Sequence, residues 1–207
     1  MDVWIEGPAG RLHGVLWEPE ASPRAAAVLC HPHPAHGGNM NSNVVHRAGR
    51  ALERAGLAVL RFDFRGVRRS EGAHDGDGEE QGDLAAALAW LGERYPGLPL
   101  WAGGFSFGAR TVVGLLARAP GSVERVLLLA LPVLAYPCEE VEDLSLPGLI
   151  LMGSADSFGT RAALEERFPG LVQRMEVEEI EGADHFFAGA LDLLQARVQA
   201  WAAANLP

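Results

Sequence analysis

At 207 residues the chain is long enough to bury a substantial core, and its 48% hydrophobic and 21% charged residues are those of an ordinary globular protein. The formal charge of −10, with acidic clusters at Glu139–Asp143 and Glu176–Glu181, repels phosphate backbones and anionic headgroups and so argues against nucleic-acid or membrane binding. Two cysteines without a C-x-x-C pair give no disulfide scaffold or zinc ribbon, and the lack of any lysine removes Schiff-base, P-loop and Ser-Lys chemistry.

Residues Met1–Glu6 carry no basic region ahead of an apolar run, so no signal peptide is expected and the expected location is the cytoplasm. Val3 and Ile5 alternate, Gly7-Pro8-Ala9-Gly10 supplies a turn, and Leu12 to Trp17 returns, which predicts an antiparallel hairpin. Ala25–Cys30 reads as a buried strand, followed by a glycine-rich loop through Gly37 and Gly38. A helix capped by Ser42 or Asn43 then runs to Ala55, with Gly56 at its end.

Leu57–Phe64 predicts the next strand; a polar, acidic loop leads to a helix marked by Leu84, Leu88 and Leu91 and closed by Pro96-Gly97. Leu98–Phe105 reads as a strand, Phe107–Arg118 as a helix and Val126–Leu131 as a strand. Pro132–Leu146 carries two prolines and an acidic run and predicts an extended loop. The longest uncharged apolar stretch, Val126 to Cys138, is too short to span a bilayer. Strands at Leu149–Gly153 and Met175–Ile180 flank a short helix around Arg161–Phe168. The last helix shows Phe187, Leu191, Leu194, Val198 and Trp201 at helical spacing. The alternation predicts an α/β fold: a mostly parallel sheet of eight strands with helices on both faces, in one domain spanning residues 1–207.

Chemistry concentrates at the predicted carboxyl edge of that sheet, where sites in such folds collect. Gly104-Phe105-Ser106-Phe107-Gly108 is a G-x-S-x-G turn between a strand and a helix. The sharp bend exposes the serine hydroxyl, and a Cβ at either flanking glycine would clash. A serine hydroxyl needs a neighbouring base. His185 lies in the loop between the last strand and the last helix, at the same edge. Asp156, after the Leu149–Gly153 strand, is placed to orient the imidazole. Asp184 is the alternative, disfavoured because adjacent loop residues point apart.

The strand–elbow–helix, an acid after a later strand and a histidine before the last helix resemble the α/β-hydrolase superfamily. C-H-P-H-P-A-H-G-G-N-M, R-F-D-F-R-G, G-F-S-F-G and G-A-D-H-F-F look like a small, lidless branch of predicted hydrolases related to dienelactone hydrolase and short-chain esterases. The resemblance covers essentially the whole chain. It implies an α/β-hydrolase fold without a cap domain, because Pro132–Leu146 is too short for the lid many relatives insert there. It also implies Ser106 as nucleophile, where dienelactone hydrolase has a cysteine, with Asp156 as acid and His185 as base, and no cofactor. The implied oxyanion hole uses the Phe107 N–H and one from His31-Pro32-His33-Pro34. Pro32 and Pro34 have no N–H, which leaves His33. The implied partner is a small acyl substrate, and association into a homo-oligomer stays open.

Three further readings compete around this edge. His31, His33 and His36 form H-x-H-x-x-H, the spacing of a zinc loop in metallo-β-lactamase-type hydrolases. The aspartate that normally precedes the last histidine is Ala35 here, and no second H-x-H follows. Relatives tend to have glycine where Arg68 stands; Arg68 or Arg69 at the site mouth favours an anionic substrate, whereas solvated arginines would only offset nearby acids. Phe107 and Phe158 are candidates to line an acyl pocket, and a non-catalytic binding protein on the same scaffold is the remaining alternative.

Overall fold

The computed structural model describes residues 1–74 and 78–207, so three residues of the acidic loop lie outside it. The hairpin forms as expected, with β1 (Asp2–Gly7) antiparallel to β2 (Gly10–Trp17), and β2 is antiparallel to β4 (Leu57–Phe62). The other neighbours, β3 (Ala25–Cys30), β5 (Leu100–Phe105), β6 (Arg125–Leu129), β7 (Gly148–Gly153) and β8 (Glu176–Ile180), pair in parallel. The eight strands are ordered β1-β2-β4-β3-β5-β6-β7-β8.

Residues of β3 and β4 are buried without exception, because helices cover both faces of the sheet. Along β3, Ala26, Val28 and Cys30 enter one core layer and Ala25, Ala27 and Leu29 the other, the period-two alternation of a strand. Helices α1 (Asn43–Ala55) and α6 (Leu191–Asn205) close the second layer. Helices α2 (Glu80–Arg94) and α3 (Phe107–Arg118) close the first, with the short α4 (Arg161–Arg167) and α5 (Leu171–Arg174). α6 buries Leu194, Val198, Trp201 and Ala202, one stripe at helical spacing. At the outer edge, β8 exposes Glu176 and Glu179; charge on an edge strand discourages pairing with another sheet.

Several boundaries differ from the sequence reading, each for a local reason. β4 gives out after Phe62: the Asp63 N–H still donates to the His13 carbonyl on β2, but the Phe64 N–H leaves the ladder for His31 Nε2. Ser42 stands at the start of α1 but does not cap it; its hydroxyl donates instead to the Asn39 carbonyl at 2.8 Å. Phe187 is not on α6. It is fully buried in the preceding turn with φ of +53°, and the helix starts four residues later.

Pro132–Leu146 is not extended. It contains a 3₁₀ turn at Glu139–Asp143 and sinks Val133, Cys138, Val141 and Leu144 into the core beside α3 and α5. A 3₁₀ turn has no 3.6-residue apolar period, which is why a search for an amphipathic helix passes over it. The segment adds no cap over the sheet edge. Among the described residues no helix is long and apolar enough to cross a membrane.

Candidate active site

Ser106 sits where β5 turns into α3, with φ +55° and ψ −117°. For an L-residue such a conformation costs on the order of 1–3 kcal/mol and persists only where the surroundings hold it. Here they do: the Ser106 N–H donates to the Leu129 carbonyl on β6, and its carbonyl accepts from Arg110 N on α3. A Cβ on Gly104 would come within 2.3 Å of the Gly108 carbonyl carbon, and one on Gly108 within 2.5 Å of the Cys30 oxygen. The two glycines therefore let the elbow fold on itself and let α3 start against the end of β3.

The turn after β8 brings His185 to this elbow. Its Nε2 lies 2.8 Å from Ser106 Oγ, and its Nδ1 lies 2.8 Å from Asp156 Oδ2. A carboxylate only accepts, so Nδ1 carries the proton and Nε2 is left to accept from the serine hydroxyl. The second Asp156 oxygen, Oδ1, accepts the Phe158 N–H at 2.8 Å, which fixes the carboxylate's rotation. All three side chains are buried. Asp184 turns away from this run: its Oδ1 accepts the N–H groups of Phe186 and Ala188, capping its own turn. The geometry thus pairs His185 with Asp156.

A cavity of about 290 Å³ opens on Ser106 and His185, walled by His33, His36, Tyr136, Phe158 and Phe186, with Gly37 and Gly38 in its floor. Phe158 and His185 have ring centroids 4.6 Å apart. The Phe107 ring is placed differently from expectation. It does not line the cavity but is buried against His33 and Phe64. Tyr136 is a wall residue that the sequence reading does not single out. The signal was available, since the segment after β6 emerges at the same edge as the elbow.

The His31-Pro32-His33-Pro34 loop follows β3 at this edge. Among the described residues neither the His33 N–H nor the Phe107 N–H has a protein acceptor, and the His33 ring packs 4.8 Å from that of Phe107. The zinc alternative is overturned by how these imidazoles are used. His31 donates from Nδ1 to the Pro32 carbonyl and accepts the Phe64 N–H at Nε2, so both ring nitrogens are engaged, and burial pushes its pKa down to about 4. His33 Nδ1 accepts the Ala35 N–H, and its ring stacks on that of His36. Among the described residues no three His, Cys, Asp or Glu side chains gather in a metal-holding group.

The two arginines also separate. Arg69 turns to the hairpin, with its guanidinium over the Trp4 ring and 3.7 Å from Asp2. Arg68 does not reach the cavity of Ser106; it lines a neighbouring one that shares Gly37 and Gly38 with it. Arg65 is structural, forming a buried ion pair with Asp83 that ties the turn after β4 to α2.

Comparison with known proteins agrees with this architecture. Residues 35–176 match the family model of the alpha/beta hydrolase fold. An uncharacterized protein of Rickettsia prowazekii is 36% identical over 202 residues, covering 89% of this chain and 81% of its own length. A serine hydrolase without lid from Xanthomonas campestris is 31% identical, with a TM-score of 0.91 over all of this chain and 95% of that one. An alpha-beta serine hydrolase homologue from Coxiella burnetii is also 31% identical, with a TM-score of 0.89 over 97% of this chain and 96% of that one. With the elbow, the sheet order and the uncapped edge all of one kind, the chain belongs to the α/β-hydrolase family.

Proposed function

We propose that the protein is a serine hydrolase that cleaves small carboxylic esters or thioesters through an acyl-enzyme. The observation that carries this reading is the unbroken run from Ser106 Oγ to His185 Nε2 and from His185 Nδ1 to Asp156, 2.8 Å at each step. In this mechanism Ser106 attacks the acyl carbon as its proton passes to His185, and Asp156 stabilises the resulting imidazolium. The N–H groups of Phe107 and His33 receive the developing oxyanion, aided by the partial positive charge at the start of α3. Collapse expels the alcohol or thiol, which takes its proton from His185. Water then enters, gives a proton to His185 and releases the acid. No cofactor takes part.

In this reading residues 1–207 act as one domain. Two buried free thiols, Cys30 and Cys138, support a reducing compartment such as the cytoplasm. The test of the nucleophile is direct. A fluorophosphonate probe should label the protein stoichiometrically at Ser106, and a folded protein that stays unlabelled would instead be a binding protein on this scaffold.

The cavity also sets an expectation for acyl length. With no cap, only the local side chains, Phe158 and Phe186 among them, can cover an acyl chain, and both are exposed. Each buried methylene contributes about 0.8 kcal/mol, so chains that outgrow the cavity gain nothing further. The specificity constant for p-nitrophenyl esters should peak at acyl chains of about two to six carbons and fall beyond. A trend rising through palmitate, or a jump at the onset of micelles, would contradict the open site.

A further inference from the structure

The second cavity, of about 490 Å³, is lined by the turns at Gly66 and Gly72, with φ of +72° and +81°, and by Gly37–Asn39, of which Gly37 and Gly38 also line the first cavity. Gly37 has open space where a side chain would stand. Arg68 supplies the one guanidinium among the described lining residues. Its neighbours Arg65 and Arg69 are already committed, to Asp83 and to the hairpin. Arg68 makes only a loose approach, Nη1 standing 3.8 Å from Asp63 Oδ2, and its side chain is 45% exposed. It holds this place at a φ of +52°, a backbone that favours glycine. Opposite, His74 is fixed by a hydrogen-bonded pair between its Nδ1 and the fully buried carboxylate of Glu80.

Arg68 is thus held on a backbone that favours glycine, makes no side-chain hydrogen bond among the described residues beyond its approach to Asp63, and presents its guanidinium to a cavity that adjoins that of Ser106. A guanidinium fork matches a carboxylate or a phosphate with two parallel hydrogen bonds. We propose that this cavity is an anion subsite, taking a carboxylate or phosphate group on substrates whose reacting carbonyl sits at Ser106. The inference rests on the serine-hydrolase reading, and the chain linking the two groups passes over Gly37 and Gly38.

The test uses p-nitrophenyl monoesters of succinate, glutarate and adipate against their methyl-capped forms, and the matching ω-phosphono esters against their dialkyl forms. The wild-type ratio of kcat/KM, anion over capped, should reach about tenfold or more at one spacer length; the carboxylate and phosphono arms identify the preferred anion. Arg68→Gly suits the local φ but removes the cation nearest the buried Asp63 carboxylate, so a thermal melt accompanies it; in the folded variant the ratio should fall to about one, while Arg68→Lys keeps that charge and retains part of the preference. A wild-type ratio at or below one for every spacer in both arms, or a ratio unchanged in Arg68→Gly, overturns the subsite. Turnover of the capped esters reports the serine mechanism separately: its complete loss overturns both readings, whereas a flat ratio with good turnover overturns only this one.

Discussion

Ser106→Ala is expected to lower ester turnover on the order of 10⁶-fold while leaving the fold intact. The elbow does not depend on the hydroxyl. Its backbone is held by the bonds from Ser106 N to Leu129 and from Arg110 N to Ser106, and its turn by the absent side chains of Gly104 and Gly108. Alanine keeps the Cβ already accommodated at φ +55°, so no new strain arises. What disappears is the atom 2.8 Å from His185 Nε2. Residual turnover from the oxyanion donors and binding alone should stay some 10³- to 10⁴-fold above water. The measurement is turnover of p-nitrophenyl acetate by purified variant, with a thermal melt beside it. Near-normal activity in a folded Ser106→Ala protein would rule out the mechanism.

The sheet was legible in the sequence because its strands obey simple rules. Ala25–Cys30 is apolar throughout and Leu57–Phe62 is broken only by Arg61, as suits strands covered on both faces, and turn residues punctuate the helices between them. What stayed hidden depends on partners distant in sequence. Phe64 reads as strand until His31, thirty-three residues earlier, is found to take its N–H. Phe187 falls at helical spacing with Leu191 and Leu194, yet the bond from its N–H to the Asp184 carbonyl places it in a tight turn.

Candidate site residues followed the same division. The elbow announces itself locally through two glycines and a serine. The parallel-sheet rule then places Asp156 and His185 at the same edge, and the structure brings their side chains within hydrogen-bond distance. The histidine loop misleads for a physical reason. H-x-H-x-x-H spacing describes where imidazoles attach, not which of their nitrogens are already used, and His31 uses both. Arg68 shows the same limit. Its sequence position puts it near the edge, but only the packing of the turn after β4 decides which of two adjoining cavities it enters.

Asp156→Asn should cost about 10⁴ in turnover, and the reason lies in which way the new amide must face. Asp156 Oδ1 accepts the Phe158 N–H, so the asparagine keeps its carbonyl oxygen there and turns its NH₂ toward His185 Nδ1. An NH₂ group only donates, so Nδ1 must then accept and the ring proton moves to Nε2. The nitrogen facing Ser106 is thereby the wrong tautomer to take its proton. Size separates this account from a simple lost contact. A hydrogen bond to a charged group contributes about 1.5–3 kcal/mol, roughly ten- to two-hundredfold, whereas 10⁴ corresponds to about 5.4 kcal/mol. Asp184→Asn is the control. Its Oδ1 keeps both backbone donors as an amide oxygen, so turnover should change by no more than about threefold. The pair is measured as kcat for one activated ester at saturating concentration. A severe Asp184 variant beside a mild Asp156 variant would transfer the orienting role to Asp184, and a loss of only tenfold in Asp156→Asn would leave the tautomer argument without support.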